Sequence, residues 1–151
     1  MAINVYKTNP IDLLPDVAVG IMLPMTDVNG TLFKLSYTTQ EQAISNLKNL
    51  LLTIQGERPM QPFFGTDIQK MLFNQITANV LERIENSVRT AINYWLPYII
   101  LNDLEIEGQY GSDIGMEEQG IYLRLWVTVT DNGPNIPITI FYTPTIIQVI
   151  E

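Results

Sequence analysis

The sequence contains no cysteine and no histidine. Their absence removes disulfides, thiol nucleophiles, zinc sites of the usual Cys/His kind and imidazole acid–base chemistry. Any catalysis would rest on carboxylates, Lys, Tyr, Ser or Thr, and no cofactor or metal is expected. Cationic residues are scarce too: eight Lys and Arg against sixteen Asp and Glu, a net charge of −8. Those cations, among them Lys7, Lys48, Arg83 and Arg124, are scattered along the chain and form no patch. Phosphate contacts need Lys and Arg, so nucleic acid and anionic membrane are poor partners for it. Apolar runs stay far below the ~20 residues of a membrane span. The opening stretch through Asp16 has no basic region followed by an apolar core, so no signal peptide is read. The expectation is a chain made in the cytoplasm and soluble until it assembles.

Charged residues make up only 16% while hydrophobic residues reach 46%. An ordinary domain carries about a quarter charged residues. This balance excludes disorder and leaves part of the surface neutral or apolar, as in a subunit that buries surface against others. The 151 residues fit one domain.

Residues 1–30 carry Pro10, Pro15 and Pro24 with Gly20 and Gly30 and no sustained period. They read as an extended arm with short strand pieces. Its Ile11, Leu13, Leu14, Val17, Val19, Ile21, Met22 and Leu23 either pack on their own domain or grip a neighbour. Asn29-Gly30 marks a turn, and Thr31 to Ser36 reads as a short strand. Thr38 with Glu41, or Thr39 with Gln42, fits a capping box at the start of a helix. Ala43, Ile44, Leu47, Leu50, Leu51 and Ile54 follow as one buried stripe, and Gly56 ends the helix. Two prolines and two glycines keep Gln55 to Gly65 out of helix. Thr66, boxed by Gln69, is expected to cap a short helix reaching about Asn74. A long helix from about Ala78 to Trp95 follows, with the stripe Leu81, Ile84, Val88, Ala91, Ile92 and Trp95 and a favourable Glu85–Arg89 pair. Pro97 stops it.

The remainder reads as β: Tyr98 to Glu107, a mobile loop from Gly108 to Gly120, Ile121 to Thr130, a turn at Asp131 to Pro134, Ile136 to Thr143, and a last piece from Thr145 to Ile150. In Ile121 to Thr130 the alternation is strict, with Ile121, Leu123, Leu125, Val127 and Val129 on one face and Tyr122, Arg124, Trp126, Thr128 and Thr130 on the other. The better core is the first face, which leaves the Trp126 face for another subunit or for a second helical layer. Helices followed by consecutive antiparallel strands predict an α+β fold, helices packed on one face of a small mainly antiparallel sheet. The last strands are strongly apolar and β-branched, and a free edge of that kind invites pairing with other chains.

The stretch Asn49 to Arg58, followed by Pro62, Phe64 and Gly65, carries a recognisable pattern: a helix ending in Leu-Leu-Thr, then Gly-Glu-Arg, Pro-x-Phe-Gly, a short helix with Leu72-Phe73, and a long helix. Over about residues 20–107 the chain resembles the lysozyme-like baseplate wedge family of contractile phage tails, whose relatives include type VI secretion subunits. The resemblance implies a structural subunit that joins the wedge around the tail tube and initiates the sheath, with no catalytic residues. The expected partners are wedge proteins and the tail sheath protein, with tube and hub proteins as further neighbours. Wedge contacts are expected at Gly56, Glu57, Arg58, Pro62, Phe64, Gly65, Pro97 and Tyr98. Sheath contacts, by strand addition, are expected at Ile136, Ile138, Ile140, Tyr142, Ile146, Ile147 and Val149. Many members end the long helix in Glu-Pro-Arg; here Leu96, Pro97 and Tyr98 stand there, which replaces ion pairs by apolar and aromatic contact.

Two local questions stay open on sequence alone. Glu57 and Arg58 either hold the turn, Glu57 accepting backbone amides and Arg58 pairing with a nearby carboxylate, or present a docking face. The alternative function is a cell-wall muramidase, which would need two carboxylates roughly 5–9 Å apart across a cleft. Glu57, Asp67, Asp103, Glu105, Asp113, Glu117 and Glu118 qualify by residue type only, and charge runs usually solvate surfaces.

Overall fold

The computed structural model describes residues 10–14, 16–23, 33–74, 77–109, 120–129, 133–143 and 147–150. Helix α1 spans Thr39–Leu52 and opens with the capping box at Thr38: its hydroxyl accepts from the Glu41 amide while the Glu41 carboxylate accepts from the Thr38 amide. Thr39 does something else. Its amide and hydroxyl both donate to Asp12 Oδ1 at 2.7 Å, so the arm supplies an acceptor and a negative charge at the positive end of the helix. Ala43, Leu47, Leu50 and Leu51 are buried as the spacing predicts.

The helix ends at Leu52, short of the expected Gly56, because Thr53 turns to extended backbone and Ile54 makes a parallel bridge to Thr66. Helix α2 is shorter than expected, Ile68–Met71, and neither Thr66 nor Gln69 caps it. Both serve α1 instead: the Thr66 hydroxyl donates to Leu51 O at 3.1 Å and Gln69 Nε2 to Leu52 O at 3.3 Å. The last carbonyls of a helix lack intrahelical donors. Buried carbonyls at the end of a long helix claim these side chains ahead of a one-turn helix.

Helix α3, Ala78–Trp95, has the bounds its periodicity predicts, and Glu85 and Arg89 pair at 2.9 Å. Ile84, Val88, Ala91 and Ile92 are buried; Leu81 and Trp95 are partly so. The Pro97-Tyr98 pair then belongs to a turn closed by the Ile99 amide on Leu96 O. Strand β3 therefore starts at Ile100 and runs to Gln109, two residues later than expected at each end.

Strands β3, β4 (Gly120–Thr128), β5 (Ile136–Tyr142) and β6 (Ile147–Ile150) form one antiparallel sheet in sequence order. Ile121, Leu123, Leu125 and Val127 are fully buried under the helices. The helices thus lie on one face of the sheet, as the α+β reading requires. The expected loop tip at residues 110–119 lies outside the described residues.

The arm contributes a short 3-10 turn, Pro10–Leu13, and β1 (Gly20–Ile21), which pairs with β2 (Leu35–Ser36) in a second small sheet. The Leu23 amide donates to Ser45 Oγ on α1 at 3.2 Å. In its described part the arm's backbone packs on its own domain, while Leu13 is 68% and Leu14 53% exposed.

Candidate docking surfaces

The turn after α1 is a closed unit. Gly56 and Gly65 both adopt positive φ, 96° and 109°, a region L side chains seldom enter. A Cβ on Gly65 would also sit 2.3 Å from the Thr53 carbonyl oxygen, whereas one on Gly56 would meet open space. Between them the Gly56 amide donates to Pro62 O, Gln61 to Arg58 O and Phe64 to Gln61 O. The Glu57 carboxylate accepts from the Ile54 amide at 3.2 Å, so it does hold a backbone donor of the turn.

Arg58 differs from its expected pairing. It donates to the amide oxygen of Asn49 at 2.9 Å, and its guanidinium lies 4.1 Å from the centroid of the Phe64 ring. Arg stacks on an aromatic face as readily as it meets a carboxylate. Phe64 in turn meets Trp95 edge-on at 5.2 Å, and Trp95 meets Tyr94 at 5.0 Å. This row runs from the turn onto the end of α3.

Tyr98 joins the same region from the other side. Its hydroxyl accepts from Asn46 Nδ2 at 2.9 Å. Asn46 and Asn49 are neighbours one turn apart on α1, so Tyr98 and Arg58 are held along one flank of that helix. The expected wedge residues from the turn and from Pro97-Tyr98 are therefore brought together. Pro62 and Pro97 are exposed. Met60, Phe63 and Tyr94, which the sequence reading did not single out, are 93%, 77% and 73% exposed. A cavity of about 580 Å³ lies between the turn and α3, lined by Gln55, Phe63, Thr90, Tyr94 and Trp95 among others, and among the described residues no lining side chain is charged at neutral pH. The adjacent Phe63-Phe64 pair in a proline-rich turn was the available signal, since a turn cannot bury both rings.

The expected sheath residues divide. Ile138, Ile140 and Tyr142 are buried beneath the helices. The Tyr142 hydroxyl donates to Leu51 O at 3.1 Å, and burial pushes its phenol well above the usual tyrosine range. These β5 side chains hold the sheet to α1 and are no surface for an incoming strand. That corrects the reading of β5 as part of a free ribbon: its edges pair with β4 and, from Thr139 to Tyr142, with β6. Ile136 is half-buried; Ile147 and Val149 are half-buried at the rim of the core. Ile146 lies outside the described residues.

The two outer strands of this sheet differ. β3 carries exposed Asp103, Glu105 and Glu107, with a register irregularity between Leu101 and Asp103. Arg124 on β4 stands 3.5 Å from Glu107 and 3.7 Å from Glu105. β6 reads Ile-Gln-Val-Ile, without a charge. On the face away from the helices Trp126, Tyr122 and Arg124 are half-buried, and Tyr122 stacks on Phe141 at 4.2 Å.

The four described carboxylates weighed for hydrolysis each serve local structure. Glu57 holds the turn, Asp67 pairs with Lys70 at 2.8 Å, Asp103 accepts the Leu104 amide and Glu105 faces Arg124. Asp113, Glu117 and Glu118 lie outside the described residues. Among the described residues no group of three or more Asp or Glu could hold a metal ion, and no helix is long and apolar enough to cross a membrane.

Residues 38–132 match the family model of the baseplate wedge protein gp25. The chain belongs to the gp25 baseplate wedge family. The match opens at the Thr38 cap and takes in the Gly56–Gly65 turn, α3, β3 and β4; β5 and β6 lie beyond it. Among curated proteins none matches. Of solved structures, a candidate tail lysozyme from Geobacter sulfurreducens is 23% identical with a TM-score of 0.58, covering 70% of this chain and 91% of that one. A chain of the anti-feeding prophage baseplate, determined by cryo-electron microscopy, is 22% identical with a TM-score of 0.58, covering 74% of this chain and 84% of that one. At these identities the two likenesses establish a shared fold.

Proposed function

We propose that this wedge-family subunit initiates the sheath of a contractile tail: it docks on the wedge through the turn and the Pro97-Tyr98 corner, and it offers the outer edge of β6 to a sheath strand. The observation that carries this is the asymmetry of the sheet. An exposed strand edge is a template for pairing, and proteins block it with charges, bulges or proline. β3 has both acidic side chains and an irregular register. β6 has no charge. An unblocked apolar edge in a subunit of a baseplate family supports a partner that adds a strand there through main-chain hydrogen bonds. On the wedge side, an aromatic, uncharged surface around Phe63 and Tyr94 supports docking by apolar contact, since aromatics dominate interface hot spots. The subunit would then reside in the tail baseplate and act structurally. The muramidase alternative gains no support from the cavity beside α3, whose lining among the described residues has no carboxylate, or from the one beside α1, where Glu41 belongs to the helix cap.

The test places charges on the edge. The double variant Gln148→Lys/Ile150→Lys should fold, enter the baseplate and leave the tube without sheath. Normal sheath on that variant would exclude the β6 edge as the starting point.

A further inference from the structure

A row of polar side chains runs along the flank of α1 that reaches Tyr98. It starts in the arm's small sheet. Ser36 on β2 is fully buried, and its hydroxyl donates to Gln42 Oε1 at 2.6 Å. Gln42 Nε2 donates to Asn46 Oδ1 at 2.9 Å, one helical turn further on. Asn46 Nδ2 then donates to the Tyr98 hydroxyl oxygen at 2.9 Å. Gly20 on β1 makes room for the first link, since a Cβ there would lie 2.1 Å from Gln42 Oε1.

The relay has a direction. A side-chain amide donates from its nitrogen and accepts at its oxygen, so each link sets the next. Run in reverse, the same side chains would leave the buried Ser36 proton without an acceptor among the described residues, and an unpaired buried hydroxyl is costly. The buried serine therefore decides which end of Asn46 meets Tyr98: the donor end. A phenol hydroxyl has one proton to give. With its oxygen taking the Asn46 N–H, that proton is turned away from Asn46, on a residue that is 45% exposed. Three links fix the ring and the hydroxyl ahead of any contact, which lowers the ordering cost of docking.

We propose that this relay makes Tyr98 a hydrogen-bond donor of the docking corner, and that an acceptor oxygen of the wedge protein, a main-chain carbonyl or a carboxylate, takes its proton. Asn46 is then a positioning residue, oriented from the arm through Ser36 and Gln42. This rests on wedge docking through the turn and the Pro97-Tyr98 corner, and it adds one directional hydrogen bond to the apolar contact there.

Binding of the full chain to the purified wedge proteins of the same tail tests it. Tyr98→Phe keeps the ring and removes the proton, and should weaken binding about tenfold at an unchanged melting temperature. Asn46→Asp is the sharper variant. A carboxylate only accepts, so it still holds the hydroxyl but draws the proton inward, and binding should fall as far as in Tyr98→Phe. A purely structural tie would survive that exchange. The double variant should bind no more weakly than either single one, since both remove the same hydrogen bond. Wild-type affinity in Tyr98→Phe or in Asn46→Asp, or additive losses in the double variant, overturns the proposal. If Asn46→Asp melts early, Tyr98→Phe alone decides. Phe63→Ser separates the two levels. Binding lost there and kept in Tyr98→Phe sinks only the donor; binding kept in both sinks the wedge-docking reading as well.

Discussion

The Leu51 carbonyl offers a sharp test of how the sheet is tied to the helices. It lies in the last turn of α1 and has no intrahelical donor, because the Gln55 amide that would serve it donates to Thr66 O. Two hydroxyls serve it instead, Tyr142 from β5 and Thr66 from the segment after the turn, each at 3.1 Å. Tyr142→Phe removes one donor and keeps the ring, so it should cost about 1 kcal/mol, the net worth of one hydrogen bond. Thr66→Val should cost a similar amount. In either single variant the carbonyl keeps a partner. In the double variant it is orphaned in a buried site, and the desolvation penalty of about 1–3 kcal/mol falls due. The double loss should therefore exceed the sum of the singles by about 1 kcal/mol, read from urea unfolding of all four proteins as a double-mutant cycle. Strict additivity would refute the shared-acceptor account and reduce both residues to independent packing.

The same tyrosine predicts a pH dependence. Its folded pKa lies above the ordinary value of 10.0, so the neutral form is favoured by folding. That stability is fully present below about pH 10, the unfolded value, and is lost as pH rises above it. Melting temperatures of wild type and Tyr142→Phe should converge as pH climbs past 10, and a constant gap would contradict this. Gly65→Ala should destabilise more than Gly56→Ala, because only Gly65 adds a backbone clash at 2.3 Å to its positive φ; about 1 kcal/mol is expected at Gly56 and clearly more at Gly65, with equal losses counting against the turn geometry. Glu57→Ala should lower the melting temperature of the isolated subunit by a few degrees through loss of the Ile54 amide's acceptor; unchanged melting with lost assembly would make Glu57 a docking residue instead.

The parts legible in the sequence were those with long, regular patterns. Eighteen residues of period 3.6 placed α3 at its observed bounds, and strict alternation placed the buried face of β4. What stayed hidden depended on partners distant in the chain. Thr66 and Gln69 look like a cap by spacing, yet they answer carbonyls fifteen and seventeen positions earlier. Arg58 finds an amide and a ring rather than an acid, and no local pattern announces that choice. The apolar final strands fitted an exposed ribbon and a core strand equally well. The split between them turns on the Tyr142 hydroxyl reaching Leu51 and on β6 being only four residues long.

Amide hydrogen exchange of the full chain, with and without the sheath protein of the same tail, tests the central claim most directly. Strand addition to β6 should slow exchange across residues 147–150 while leaving the acidic outer strand at residues 100–109 unchanged. Slowing at β3 alone, or none at β6 under saturating sheath protein, would contradict the account.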